Sequence, residues 1–385
     1  MRLFANPERA LSKKLDRALA ASERDDFAEA ARLYGEVAND ASALRGPEDP
    51  VALTAREDVA AAYLQLGELE RGRALLLELI PEMERAPALG PDSRHTVNAR
   101  VALAASYGEE GDHEKALELL TLEAERAEQV LGPGDETTFE VRENLATAAR
   151  ALAEPELERI LALSPESDGE PVDRSVWETH LPRAAEAIRS CESYRSKRLM
   201  NFRAEDEEGS IEWLIEVAPE DRLRVDQTIH SPSEGDLYDL WVVIKGYRYR
   251  NAGVWLDESG QPEEQQAGDA QVDEAMKLGS YLSFFERELV QARVHDVSGQ
   301  RYLRLEYAAV PPWLAEDLPD DEALTERTDL WLRWDTDNLE RAEVSATSET
   351  SGFKMEIKQA FSSIGPPIVV SAPPSPVVPG RYEEE

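Results

Sequence analysis

The sequence predicts a two-domain α+β chain: an all-α solenoid of helical repeats, then an antiparallel β-sheet with covering helices. Three observations predict it. Short motifs recur at steps of 42 and 44 residues in the first part. Apolar and polar residues alternate in short runs after residue 205. All seven tryptophans, Trp177, Trp213, Trp241, Trp255, Trp313, Trp331 and Trp334, lie beyond residue 165. The first part is rich in Ala, Leu and Glu, as helices favour, and the second has the aromatics that strands favour. At 385 residues the chain suits two domains. The expected organisation is a solenoid over 1–164, a linker over 165–171, a sheet domain over 172–373 and a proline-rich acidic tail over 374–385.

The repeat is legible at four positions. Gly46-Pro47, Gly90-Pro91 and Gly132-Pro133 share the step, as do Arg56, Arg100 and Arg142. Asp25, Gly67 and Gly111 each close one helix, and Ala30, Gly72 and Ala116 follow five residues later, where a small residue lets two helices approach. Such a period means stacked helix pairs, none of which buries its apolar face alone. The expected helices are 7–23, 27–44, 51–66, 69–86, 94–110, 113–131 and 136–152, with a short separate tail, Pro155–Leu163, capping the stack.

The segments Leu89-Gly90-Pro91-Asp92-Ser93-Arg94-His95-Thr96 with Arg100-Val101-Ala102-Leu103-Ala104, and Leu131-Gly132-Pro133-Gly134-Asp135-Glu136-Thr137-Thr138 with Arg142-Glu143-Asn144-Leu145-Ala146, resemble tetratricopeptide repeats of the kinesin-light-chain type. The resemblance covers about 20–152 and implies a groove for a protein or peptide partner, with no chemistry of its own. Arg56, Arg100 and Arg142, with Asn144, are the groove candidates. As a ladder the arginines would bind an acidic peptide; the alternative is surface pairing with acids such as Asp58 and Glu143.

The second part opens with a helix over 175–192, striped by Trp177, Leu181, Ala184, Ile188 and Cys191. Cys191 reads as core packing rather than a reactive thiol. Strands follow: Ile211, Trp213, Ile215 and Val217 alternate with acids, Leu223 and Val225 with Arg222 and Arg224, and Leu240–Ile244 runs apolar into a Lys245-Gly246 turn before Tyr247 and Tyr249. A polar loop over 258–273 and a helix over Asp273–Glu288 come next. Strands over 290–294, 301–307, 328–335, 341–347 and 353–361 complete an antiparallel sheet with one apolar face.

The run Trp241-Val242-Val243-Ile244-Lys245-Gly246-Tyr247-Arg248-Tyr249 with Trp255, the stretch Asp329–Val344 and the closing Phe361–Pro373 are similar to the lipoprotein-carrier superfamily, which includes the periplasmic carrier of outer-membrane lipoproteins and lipid-binding mycobacterial lipoproteins. That resemblance spans about 175–373 and implies an unclosed half-barrel whose apolar cavity takes acyl chains. The cavity candidates are Ile211, Trp213, Ile215, Val225, Trp241, Val243, Trp255, Leu303, Leu305, Leu332, Trp334, Met355 and Ile357. The alternative is that Trp213, Trp241 and Trp334 simply fill a core.

Charge and motifs exclude several classes. The formal net charge is −37, shared by both parts, so neither nucleic acid nor anionic headgroups are expected partners. No apolar run approaches a membrane span. One cysteine and five histidines leave no Cys- or His-rich metal site. Asp236, Asp239 and the pair Asp335/Asp337 are the nearest approach to a calcium set. No nucleophile elbow, phosphate loop or dinucleotide fingerprint occurs. The expectation is a non-enzymatic binding or adaptor protein without cofactor or metal, with a protein partner in the repeat groove and a lipid-like ligand in the sheet domain. The alternative is an exported lipid or lipoprotein carrier whose signal sequence is missing from this start site. With no leader visible, the expected location is cytoplasmic, or periplasmic or extracellular if the start site is wrong.

Overall fold

Capping side chains set the helix boundaries of the first part. The computed structural model describes residues 7–165, 167–204, 207–219, 222–231, 235–244, 247–250, 278–315, 318, 324–362 and 368. The helices are α1 (Pro7–Ser22), α2 (Phe27–Arg45), α3 (Pro50–Gln65), α4 (Leu69–Arg85), α5 (Arg94–Glu109), α6 (His113–Val130) and α7 (Glu136–Leu161). The side chains of Asp26, Asp49, Ser93 and Asp112 accept from backbone N–H groups of the first turns of α2, α3, α5 and α6. Each satisfies a donor that the helix itself leaves unpaired. The turn residues Asp25, Gly67 and Gly111 all have positive φ, 58°, 75° and 92°. Gly72 is the close approach foreseen at its position: a Cβ there would stand 2.6 Å from Leu64 Cδ2.

The chain divides into two compact units, Met1–Arg150 and Ala151–Glu385. The division falls inside α7, so the turns after Arg150 belong to the second unit. The separate tail expected at Pro155–Leu163 is instead the continuation of α7 through Pro155. An interior proline costs a helix about 3 kcal/mol. Beyond it, Leu157, Ile160, Leu161 and Leu163 bury against Val297, Tyr302, Trp331 and Ala360 of the sheet. At about 1.5–3 kcal/mol for each large apolar side chain, that contact outweighs the proline. Arg341 then donates to the carbonyls of Ile160 and Leu163, closing the helix end.

The second unit continues with β1 (Glu170–Pro171), α8 (Arg174–Ser190), β2 (Tyr194–Ala204), β3 (Glu207–Ala218), β4 (Arg222–Ser231), β5 (Gly235–Ile244) and β6 (Tyr247–Arg250). A 3₁₀ helix (Leu278–Glu286), β7 (Gln291–Val297), β8 (Gln300–Tyr307), a one-turn α9 (Pro312–Ala315), β9 (Thr325–Arg333), β10 (Leu339–Thr347) and β11 (Lys354–Ser362) follow. All pairings are antiparallel, in the order β1-β7-β8-β9-β10-β11-β2-β3-β4-β5-β6. β1 and β6 stand at opposite ends, so the described strands form an unclosed sheet.

Two expectations are corrected. The helix foreseen over Asp273–Glu288 is a 3₁₀ helix where it is described, over Leu278–Glu286. The sequence pattern assigned no strand to 194–204, yet β2 lies inside the sheet, between β11 and β3. The loop 258–273, the turn Lys245-Gly246, Trp255 and the tail 374–385 lie outside the described residues.

Register places the apolar side chains on one face. Leu303 pairs with Leu332, Leu305 with Leu330, Leu330 with Ala342, and Val344 with Ile357. α8 and the 3₁₀ helix cover this part of the sheet with Ala184, Ile188, Leu278, Tyr281 and Phe284. The opposite face carries the ion pairs of Arg195 with Glu216 and of Arg304 with Asp329, beside the Tyr302, Trp331 and Ala360 patch that the end of α7 covers.

Candidate functional site

The apolar face of the sheet holds two clusters. Leu303, Leu305, Leu332, Met355 and Ile357 are buried in the core beneath α8 and the 3₁₀ helix. Trp334 lies half-buried at its edge, its ring centroid 4.5 Å from that of His180 on α8. Ile211, Trp213, Ile215 and Val225 form a distinct cluster with Leu223, extended by the partly exposed Met200 and Val217. The backbones of Trp241 and Val243 pair with Val225 and Leu223; their side chains and Trp255 lie outside the described residues.

Between the clusters runs a buried polar seam that the sequence did not announce. Arg198 on β2 is 2% exposed. Its Nε donates to Gln359 Oε1 at 2.9 Å, Tyr281 Oη donates to the same oxygen at 2.9 Å, and Gln359 Nε2 donates to Ser196 Oγ at 2.8 Å. The guanidinium lies 4.7 Å from the Trp313 ring centre and 5.9 Å from that of Trp213. Arg198, Ser196 and Gln359 occupy positions of the apolar face because the alternation of β2 and β11 puts them there. Burial works against the charge of Arg198 and pushes the Tyr281 hydroxyl up. Neutral acceptors and flanking rings suit a guanidinium, which is weakly hydrated and stacks on aromatic faces.

Two minor candidates resolve into structure. The Asp337 carboxylate is held by His180 Nδ1 and by Arg183 Nε at 2.9 Å, and Asp335 by Arg333. Among the described residues no three His, Cys, Asp or Glu side chains are grouped to hold a metal ion. Cys191 is half-buried, its thiol donates to the Ser193 carbonyl, and burial pushes its pKa up, away from the thiolate a reactive cysteine needs.

In the repeat unit the three ladder arginines sit at equivalent helix positions, and each is already engaged by a carboxylate of a neighbouring helix. Arg56 pairs with Glu82, Arg100 with Glu123 at 2.6 Å and Glu84 at 3.0 Å, and Arg142 with Glu128 at 2.7 Å. Arg100 and Arg142 also donate to the carbonyls of Pro91 and Pro133, nine residues upstream in each repeat. Asn144 donates to the Glu140 carbonyl of its own helix. Among the described residues no arginine pairs with the adjacent acids Glu57 and Asp58. His95 on α5 lies 3.5 Å from Glu57, which raises the histidine's pKa. Asp58 is pushed up to about 7, chiefly by burial and then by the charge of Glu57.

No family model matches the chain, and no curated protein matches it. Both resemblances read from the sequence occur among solved structures. The chain is similar to a protein from Podosopora anserina described as a kinesin light chain with nearly identical TPR-like repeats, at 19% identity over 49% of this chain and 81% of that one, with a TM-score of 0.34. It is similar to a LolA superfamily protein from Nitrosomonas europaea, at 13% identity over 49% of this chain and 94% of that one, TM-score 0.24. It is similar to MucB in the Pseudomonas aeruginosa MucA/MucB complex, at 14% identity over 49% of this chain and 58% of that one, TM-score 0.23. At these identities the likeness is one of fold alone. Among the described residues no helix is long and apolar enough to cross a membrane.

Proposed function

We propose that the chain is a binding protein. Its repeat unit holds a protein or peptide segment, and the β2–β4 part of the apolar face holds a lipid-like ligand. One observation carries the second half of this reading. The buried cluster of Trp213, Ile215, Leu223 and Val225 is separate from the core that α8 and the 3₁₀ helix close over, and the partly buried Met200 and Val217 pack against both. The four buried side chains are 0–8% exposed, so an alkyl chain reaches them from the margin of the cluster, where it gains about 25 cal/mol for each Å² removed from water. The partly exposed Met200, Ile211 and Val217 give it first contacts. For the repeat unit, support comes from the repeat itself: stacked helix pairs present one extended surface, the usual use of a solenoid. Native mass spectrometry of the purified full chain tests the ligand. The reading expects a lipid adduct that collisional activation releases; only the bare chain, from several hosts and after incubation with lipid, contradicts it.

A further inference from the structure

Five residues from five neighbouring strands stand in one row across the sheet. The register pairs Glu356 with Asn201, Asn201 with Ser210, Ser210 with His230, and His230 with Asp236. Directly opposed residues of antiparallel strands project from the same face, with Cβ atoms about 4.5–5.5 Å apart. The row lies on the face opposite the side of Ile211 and Ile229, and it lines a cavity of about 510 Å³ with Lys354 and Arg203 also in its wall.

The order of chemical types along the row is what matters. Asp236 Oδ1 lies 2.8 Å from His230 Nδ1. A carboxylate on Nδ1 holds the proton of the neutral ring there and leaves Nε2 as the basic nitrogen. Next in the row is a hydroxyl, Ser210, and beyond it a side-chain amide donor, Asn201. Orienting carboxylate, base, hydroxyl and amide donor are the parts of a serine hydrolase, which is recognised by roles and not by chain order.

We infer that this row is a hydrolytic site for small carboxylic esters. Ser210 is the nucleophile, His230 the general base and acid, Asn201 Nδ2 the oxyanion donor, and Asp236 a positioning residue. Ser210 Oγ forms a bond to the acyl carbon and gives its proton to His230 Nε2. The ester C–O bond breaks, and the alcohol leaves with that proton. Water then attacks the acyl-enzyme and gives a proton to His230. The acid departs as the Ser210 oxygen takes that proton back, and nothing is oxidised or reduced. Among the described residues His230 is hydrogen-bonded to Asp236 and not to Ser210 Oγ; contacts between a nucleophile and its base commonly tighten only around bound substrate. The inference goes beyond the binding reading and does not depend on it.

The test uses the full chain with a fluorophosphonate probe and with p-nitrophenyl acetate. The expected result is probe mass on Ser210 in a peptide map, and turnover that Ser210→Ala removes. His230→Gln should slow turnover about 10²–10⁴-fold. Asn201→Ala should lower kcat about 10²–10³-fold with KM little changed. Asp236→Asn should slow turnover and displace its pH profile. The probe map needs only the wild-type chain, so a variant that fails to fold does not protect the inference. Absence of probe from Ser210 in the folded protein overturns it, and so does turnover that survives Ser210→Ala.

Discussion

Arg198 Nε donates to Gln359 Oε1 at 2.9 Å, joining β2 to β11 inside the apolar face of the sheet. Gln359 is the hub of that seam, with Tyr281 and Ser196 on the same amide. Gln359→Ala removes one partner from each of three buried groups, of which Arg198 and Tyr281 keep each other; a group left unsatisfied costs about 1–3 kcal/mol. Loss of about 1–3 kcal/mol is expected in denaturant unfolding followed by tryptophan fluorescence. All seven tryptophans lie beyond residue 165, so that signal reports the second unit. A midpoint equal to wild type would show that the seam contributes nothing.

The ladder arginines should differ sharply in their cost. The Glu123 side chain is 6% exposed under Arg100, whereas Glu128 is 51% exposed beside Arg142. Arg100→Ala strands a buried carboxylate and should cost about 3–5 kcal/mol. Arg142→Ala should cost about 0–1 kcal/mol, as for a surface pair. Equal effects in thermal melts followed by far-UV circular dichroism would contradict this.

Asp58 sets a pH dependence on the repeat unit. Its pKa rises from 3.8 to about 7 in the fold. The folded state therefore keeps a proton that the unfolded chain gives up near pH 4. Its contribution is full below that pH, is lost as pH rises through the folded value, and levels off above it. Asp58→Asn should flatten stability between about pH 4 and 7 and raise the melting temperature at pH 8. A wild-type melting temperature that rises through that window, or a variant less stable at pH 8, would count against the assignment.

Two glycines of the repeat unit should respond oppositely to alanine. At Gly72 a Cβ meets Leu64 Cδ2 at 2.6 Å, and at Gly108 it meets Ala116 Cβ at an ordinary 3.7 Å. Gly72→Ala should destabilise by about 1–3 kcal/mol through overpacking. Gly108→Ala should stabilise by up to about 1 kcal/mol, the helix preference of alanine over glycine. Circular dichroism melts of the two variants separate the cases; a neutral Gly72→Ala would refute the close approach.

Local signals carried most of the fold. Asp25, Gly67 and Gly111 marked the helix ends, and the repeat step put Arg56, Arg100 and Arg142 at one position. Their partners were not visible: Glu82, Glu123 and Glu128 are 14–26 residues away, and the pairing depends on helix packing. Alternation correctly grouped Ile211, Trp213 and Ile215, and also Leu303 and Leu305, on the apolar face. It could not say which lie beneath helices. β2 escaped because Ser196 and Arg198 interrupt its apolar side, and only Gln359, more than 160 positions on, explains them. α7 was read as two pieces because Pro155 is a local breaker, whereas the sheet contacts that override it are long-range.

The binding reading is tested most directly by titrating a fluorescent fatty acid into the full chain while following tryptophan emission. The account predicts saturable quenching, reduced in Trp213→Leu because that ring lies in the β2–β4 cluster, and unchanged in Trp177→Leu, which packs on the core under α8. No saturable quenching by any chain length, or quenching identical in the Trp213 variant, would contradict it.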